Sequence, residues 1–188
     1  GQVTVGYLSQ SHASALKKFL SGLCVDKDSL HWDGHLMDAQ QRTQALGNAA
    51  QALRAQGVIT GWRNECYSFW GDIASEPDPH LPEWFRLERA AFRFFGMRSH
   101  AVHINGFTPD GRMWCARRAL TKATDPGRLD NLAAGGLPVG EQLLECAQRE
   151  LYEEAGLQLG LSNHLTLVGQ VTTARMEPQG WHQDRKST

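Results

Sequence analysis

Residues 135–157 follow the pattern G-x5-E-x7-R-E-L-x-E-E-x-G-L, carried by Gly135, Glu141, Arg149, Glu150, Leu151, Glu153, Glu154, Gly156 and Leu157. No other stretch of the chain limits its fold as strongly. Leu143, Leu144, Ala147 and Leu151 recur at helical spacing and predict an apolar face for a helix starting near Glu141. Gly156 predicts its end, because glycine leaves a helix through a left-handed residue at little cost. Glu150, Glu153 and Glu154 then stand at i, i+3 and i+4 on one face. Like charges so placed repel and weaken a helix unless a cation joins them. Mg²⁺ or Mn²⁺ suits such oxygen ligands and also binds substrate phosphates. Such an ion also lowers the pKa of a bound water. Glu153 or Glu150 is the expected helper in activating that water, and spacing alone does not separate ligand from base.

The neighbouring residues extend this reading. Gly135 and Gly136, in an expected loop over residues 131–140, would let the backbone approach a metal or phosphate closely. Arg149 is placed to orient a neighbouring glutamate or offset the acidic cluster. Glu141 is expected to open the helix, where negative charge suits the dipole. Upstream, Arg117, Arg118 and Lys122 are candidate contacts to substrate phosphates.

The remainder reads as mixed α/β. Val3, Val5 and Tyr7 alternate as a short strand. Ser11 is a candidate cap for a helix carrying Leu16, Phe19 and Leu20 and ending before Gly22. Thr43 is the candidate cap of a second helix, with Leu46, Ala49, Ala50 and Leu53 inward and Gly57 as its stop. Tyr67 and Phe69 mark a strand. Breakers at Glu76-Pro77-Asp78-Pro79 and Pro82 predict a loop. A helix bearing Trp84, Phe85, Leu87, Ala91, Phe94 and Phe95 follows, ends at Gly96, and is expected to form an interdomain core. Strands are expected over residues 101–107 and 113–117, joined by the turn Thr108-Pro109-Asp110-Gly111. Another is expected over residues 165–171, with a polar tail over residues 179–188. The expected domains are residues 1–96, a mixed α/β unit, and residues 97–188, carrying the glutamate helix.

A net charge of −1 argues against nucleic-acid binding by bulk electrostatics. The four cysteines form no CxxC pair and read as free thiols of a reducing compartment. His31 and His35 flank a turn-like Trp32-Asp33-Gly34, so a histidine metal site is not expected. His103, near Asn105, reads as a structural hydrogen-bonding residue, and Cys146 as packing. No apolar run approaches a membrane span. A cytoplasmic location is expected. The chain starts without Met, which suggests a trimmed N-terminus and keeps organellar targeting in view.

The glycine–glutamate pattern resembles the Nudix box at every fixed position. The resemblance implies a Nudix α/β/α sandwich and a Mg²⁺-dependent (or Mn²⁺-dependent) hydrolase of diphosphate linkages. It implies metal ligation by Gly135, Glu150, Glu153 and Glu154, and support of the loop by Glu141 and Gly136. Residues 117–131 resemble the R-R-x-x-x-K-x-x-x-P-G-x-x-D-N approach of the thiamin pyrophosphokinase-related Nudix group. Arg42-Thr43, residues 61–65, Glu88-Arg89-Ala90-Ala91 and residues 102–106 resemble that group's N-terminal accessory domain. The group implies hydrolysis of thiamine diphosphate, or damaged analogues, to the monophosphate. No G-x-x-x-x-G-K-[ST] loop of a kinase is present. Residues 99–188 are few for this fold, so a C-terminally incomplete domain is expected. ADP-ribose or another nucleoside diphosphate is the alternative substrate, and a non-catalytic binding module the alternative function. The expected partner is a small-molecule diphosphate, without nucleic acid or membrane, and the oligomeric state is left open, a homodimer included.

Overall fold

A computed structural model describes residues 3–71, 82–122, 125–158 and 165–188. Its elements run α1 (Gln10–Leu16), β1 (Leu23–Asp26), β2 (Ser29–Trp32), a 3-10 turn (Gly34–Leu36), α2 (Ala39–Ala55), β3 (Cys66–Phe69), β4 (Phe85–Glu88) and α3 (Arg89–Phe95). Then follow β5 (Arg98–Ile104), β6 (Gly106–Phe107), β7 (Met113–Trp114), β8 (Ala116–Arg117), β9 (Leu129–Asp130), β10 (Ala133–Gly136), α4 (Leu143–Ala155), β11 (Gln170–Glu177) and β12 (Gly180–Ser187). Helices and strands are mixed, as an α/β fold requires. β10, β5, β12 and β11 form one sheet in that order, and the other strands pair as β1–β2, β3–β4, β6–β7 and β8–β9. The chain divides into two compact units. The first comprises Gly1–Ser99, Pro138–Gly140 and Thr173–Asp184, and the second His100–Leu137, Glu141–Thr172 and Arg185–Thr188.

In the first unit the apolar spacing of α2 holds. Leu46, Ala49, Ala50 and Leu53 are all buried. The cap, however, is Asp38, not Thr43. Asp38 Oδ1 accepts from the Gln41 N–H at 2.8 Å, and Gln41 Oε1 accepts from the Asp38 N–H at 3.0 Å. This reciprocal pair satisfies two amides that the first turn leaves open. The Thr43 hydroxyl donates to Ala39 O one turn back. Replacing Asp38 by Ala is expected to lower stability by about 1 kcal/mol, measurable by urea denaturation; no shift in midpoint would refute the cap.

Helix α1 starts two residues earlier than expected. Ser9 is its cap, accepting from the His12 N–H at 3.2 Å, and Phe19 and Leu20 lie beyond its end. Residues 3–7 form no strand, because their backbone meets a helix end instead of a sheet. The Tyr7 N–H donates to Gly96 O at 3.2 Å. Gly96 has φ +62°, and a Cβ there would sit 2.1 Å from Tyr7 O.

The aromatic helix is shorter than expected. Phe85 and Leu87 alternate with Arg86, and this period of two places β4 against β3, with Phe69 opposite Phe85 and Tyr67 opposite Leu87. The Phe69 and Phe85 rings stack at 4.8 Å, so the pairing buries both aromatics. The helix begins only at Arg89, where the Glu88 carboxylate accepts from the Ala90 N–H. Phe85, Leu87, Phe94 and Phe95 are buried as expected, but in this unit's own core, with Leu46, Leu53, Tyr67 and Met97. The expected loop residues Glu76-Pro77-Asp78-Pro79 lie outside the described residues.

Strands β11 and β12 depart furthest from expectation. Residues 165–169 are not a strand, and the supposed polar tail is β12. Charge pairing and close backbone approach hold this hairpin. Glu177 meets Arg93 at 2.9 Å, Arg175 at 2.8 Å and His182 at 3.2 Å. A Cβ on Gly180 would lie 2.3 Å from Arg93 O, so only glycine permits that approach.

In the second unit the turn chemistry holds. Thr108 N–H donates to Arg112 O at 2.8 Å, and Phe107 pairs with Met113 across β6–β7. The long strands expected on either side are each interrupted, at Asn105 and at Cys115. Residues 133–136, expected in a loop, are strand β10, antiparallel to β5 with Gly135 opposite Val102. Helix α4 covers these strands: Cys146 packs with Val102 and Leu137, and Leu151 with Ile104 and Ala133. Leu144, expected inward, is exposed, and Cys146 takes the fully buried place. No helix among the described residues is long and apolar enough to cross a membrane.

Candidate active site

Helix α4 fixes the glutamates. Gln142 precedes it, and the Gln142 N–H donates to Glu145 Oε2 at 2.9 Å. Gly156 ends it with φ +67°. Glu141 thus lies outside the helix, where it serves as a clamp and not as the first helical turn. Arg149 Nε donates to Glu141 Oε1 at 2.8 Å and Nη2 to Glu141 Oε2 at 2.9 Å. This bidentate fork fits carboxylate geometry and ties the loop to the helix. Arg149 Nη1 also donates to Glu150 Oε1 at 2.6 Å and to Glu153 Oε2 at 3.3 Å. Arg149 therefore does both jobs foreseen for it: it orients Glu150 and offsets the acidic cluster.

Strand β10 sets the opposite wall. It is the last strand of its sheet. The Leu137 N–H donates to His100 O at 2.8 Å, which sets the phase of the ladder. Gly135 then bonds inward to Val102, and Ala134 presents its N–H off the sheet edge. There the Ala134 N–H donates to Glu154 Oε2 at 3.1 Å. A Cβ on Gly135 would lie 1.9 Å from Glu150 Cδ. The Glu150 carboxylate thus fills the place where any other residue would carry its side chain. Gly135 matters here through its missing side chain, within a strand, and not through loop freedom. Gly136 O accepts from Cys146 Sγ at 3.4 Å, which anchors strand to helix. Ala134 and Cys146 were not singled out as site residues from the sequence; the ladder phase that exposes the Ala134 amide leaves no mark on residue type.

The three glutamates share a helix face but do not converge. Among the described residues, no group of three or more His, Cys, Asp or Glu side chains is gathered to hold a metal ion. Arg149 draws Glu150 and Glu153, and the Ala134 amide draws Glu154. The donor chemistry nevertheless fits a hard divalent cation: all the donors are oxygen, and Glu150 is held against backbone. Burial raises the Glu150 pKa above its ordinary value, outweighing Arg149, and repulsion from Glu153 and Glu154 adds to the rise. Burial likewise pushes the Cys146 thiol up to about 12, so it packs and does not react.

Arg149 holds the Glu141 carboxyl below its ordinary range, chiefly by the hydrogen bond. This pair adds stability above the unfolded carboxylate range and loses it as pH falls through the folded value. Glu150 has the opposite sign: its ionised form costs stability near neutrality, and falling pH relieves that cost. Replacing Arg149 by Met is expected to cost roughly 1–2 kcal/mol at neutral pH, discounted for its partial exposure. In thermal melts at pH 7 and pH 4, the difference from wild type should narrow at the lower pH; an unchanged gap would refute the linkage.

Two of the basic residues upstream, Arg117 and Arg118, bond within their own segment. Arg117 Nη1 donates to Gly127 O at 3.0 Å. Arg118 forms an ion pair with Asp130 at 2.5 Å, and Lys122 is exposed. They frame the connection between β8 and β9, whose register pairs Arg117 with Leu129.

Comparison with known families matches residues 1–99 to a domain of unknown function, DUF4743, and residues 97–187 to the NUDIX domain. The chain belongs to the DUF4743 family and carries a Nudix domain. It is similar to Nudix hydrolase 24, chloroplastic, of Arabidopsis thaliana, 34% identical over 89% of this chain and 46% of the relative. Nudix hydrolase 20, chloroplastic, of the same plant is also 34% identical, over 89% of this chain and 46% of the relative. An uncharacterized protein of Saccharomyces cerevisiae is 32% identical over 72% of this chain and 40% of its own length. The chain thus spans less than half the length of each of these relatives. Nudix hydrolases in general use divalent metals.

Proposed function

We propose that the protein is a Mg²⁺- or Mn²⁺-dependent Nudix hydrolase that cleaves a diphosphate linkage. The observation that carries this is the seat of Glu150: its carboxylate lies in the Cβ space of Gly135 and is held by Arg149, which Glu141 clamps. A carboxylate fixed so closely is prepared to bind and orient, with no reorganisation at the moment of reaction. Glu150, Glu153 and Glu154, with the backbone at Gly135, would hold the cation. When bound, that cation supplies charge neutralisation on the phosphates and acidifies water. Glu150 is the group best placed to take the proton of the attacking water, being more enclosed than Glu153, whose side chain is 55% exposed. Arg117, Arg118 and Lys122 are the proposed contacts to the distal phosphate, and Glu141 and Gly136 support the strand-to-helix connection.

The proposed substrate is thiamine diphosphate or an oxidised relative, cleaved to the monophosphate. This rests on the likeness of residues 117–131 and of the accessory domain to the thiamin pyrophosphokinase-related group. The plant relatives are named as chloroplastic, which favours an organellar compartment over the cytoplasm. The test is a screen of thiamine diphosphate, oxidised thiamine diphosphates, ADP-ribose and NADH with Mg²⁺. Phosphate-bearing products should form and should cease when EDTA is added. A tenfold higher kcat/KM for ADP-ribose would overturn the thiamine assignment and leave the diphosphate hydrolase. No turnover of any member would overturn both.

A further inference from the structure

His103 carries an arrangement that the glutamate chemistry does not use. Its neighbours on β5, Val102 and Ile104, pack in the two clusters under α4. Side chains alternate along a strand, so His103 and Ala101 face the other side of the sheet. There Asn131 Nδ2 donates to Asn105 Oδ1. With the amide so oriented, Asn131 Oδ1 faces His103 Nδ1, at 2.6 Å. Only a donor can face that oxygen, so the imidazole carries its proton on Nδ1. In its neutral form the imidazole has one N–H, and Nε2 then presents a lone pair. Among the described residues nothing meets Nε2. The Asn131 N–H donates to Asp130 Oδ1 at 2.9 Å, and Asp130 pairs with Arg118, so the relay is tied down at both ends. A histidine that meets a ligand through one ring nitrogen needs a second group to fix its tautomer through the other, and Asn131 is such a group.

Strand β10 leaves room beside the ring. Ala134 stands opposite His103 and Gly136 opposite Ala101, so no large side chain crowds the ring from β10. Ala134 also connects the two faces: its methyl lies on the His103 side, and its N–H leaves the sheet edge toward Glu154. A ligand whose diphosphate lies at the glutamates can reach His103 by passing over this edge.

We propose that His103 Nε2 is a specificity-determining acceptor. It reads an amino or hydroxyl donor in the part of the substrate beyond the diphosphate. A bare phosphate does not match, since a lone pair repels an anion. This inference rests on the diphosphate-hydrolase reading, and its test separates the two.

The full chain with ¹⁵N-labelled histidine would be examined by two-bond ¹H–¹⁵N correlation, with His103 assigned through His103→Leu. The expected tautomer is Nδ1–H. With Mg²⁺ present, thiamine diphosphate or ADP-ribose should shift Nε2, and inorganic pyrophosphate should not. His103→Leu should raise KM for the responding compound about tenfold with kcat within about twofold, and His103→Gln, which retains an acceptor, should recover part of the loss. A proton on Nε2, equal shifts with pyrophosphate, or no shift with either larger compound would overturn the proposal. If the larger compound shifts Nε2 but nothing is hydrolysed, the hydrolase reading fails and the acceptor stands. If hydrolysis proceeds and His103→Leu leaves KM unchanged, the acceptor alone fails.

Discussion

Gly135→Ala is expected to lower kcat for diphosphate hydrolysis by at least ~10²-fold, because displacing a catalytic group by about 1 Å costs that much. The added methyl carbon would fall 1.9 Å from the Glu150 carboxyl carbon. One of the two must move, and the side chain is the softer. Glu150 would swing off the strand and carry Arg149 Nη1 with it, while Glu141 stays clamped through Nε and Nη2. Glu150→Gln should lose about as much, ~10²–10³-fold, by deleting charge without changing size. Steady-state kinetics with Mg²⁺ on the best substrate of the screen, beside a circular dichroism melt, would check both. A Gly135→Ala enzyme with wild-type kcat would mean that Glu150 does no chemistry from this seat. A variant that has merely unfolded would show in the melt, and Glu150→Gln, which adds no bulk, would then decide.

The largest expected effect on stability is Phe94→Ala, at about 3–5 kcal/mol. Phe94 is 1% exposed. Its ring stacks on His12 at 4.4 Å and meets Phe95 edge-on at 5.1 Å. Helix α3 is a single seven-residue segment, too short to hold itself by propensity. It persists because Ala91, Phe92, Phe94 and Phe95 are buried on its several sides. Removing Phe94 opens a cavity beside the His12 and Phe95 rings. Urea denaturation followed by tryptophan fluorescence would measure the loss; a change below 1 kcal/mol would show that the core closes over the gap.

What the sequence disclosed follows from what side chains can encode. The glutamate face of α4 was legible because three charges at i, i+3 and i+4 have one geometric consequence. Leu144 misled because hydropathy assigns leucine inward, while the helix phase that buries Cys146 turns Leu144, two residues away, to the opposite side. β10 was illegible because Ala133-Ala134-Gly135-Gly136 has almost no strand propensity. Its pairing comes from Val102 and Ile104, about 30 residues away in sequence. β12 escaped for a similar reason: Trp181-His182-Gln183-Asp184-Arg185-Lys186 lacks an apolar alternation, and hydrogen bonds such as Ser99 Oγ to Gln183 O at 3.0 Å hold it. Cap residues were misjudged by position and not by type. Asp38 and Ser9 are as good on paper as Thr43 and Ser11, and only the backbone decides which is used.

The thiol sealed beneath the Gly136 carbonyl offers a clock for the helix. At pH 8, with its pKa about 12, roughly one Cys146 thiol in ten thousand is ionised. Alkylating reagents would reach Cys24, Cys66 and Cys115, all exposed, without any opening of the fold. Cys146 would react only when α4 lifts from β10, the same movement that takes Glu150 from Gly135. The slow fourth alkylation, followed by intact mass, therefore counts openings of the glutamate seat one molecule at a time.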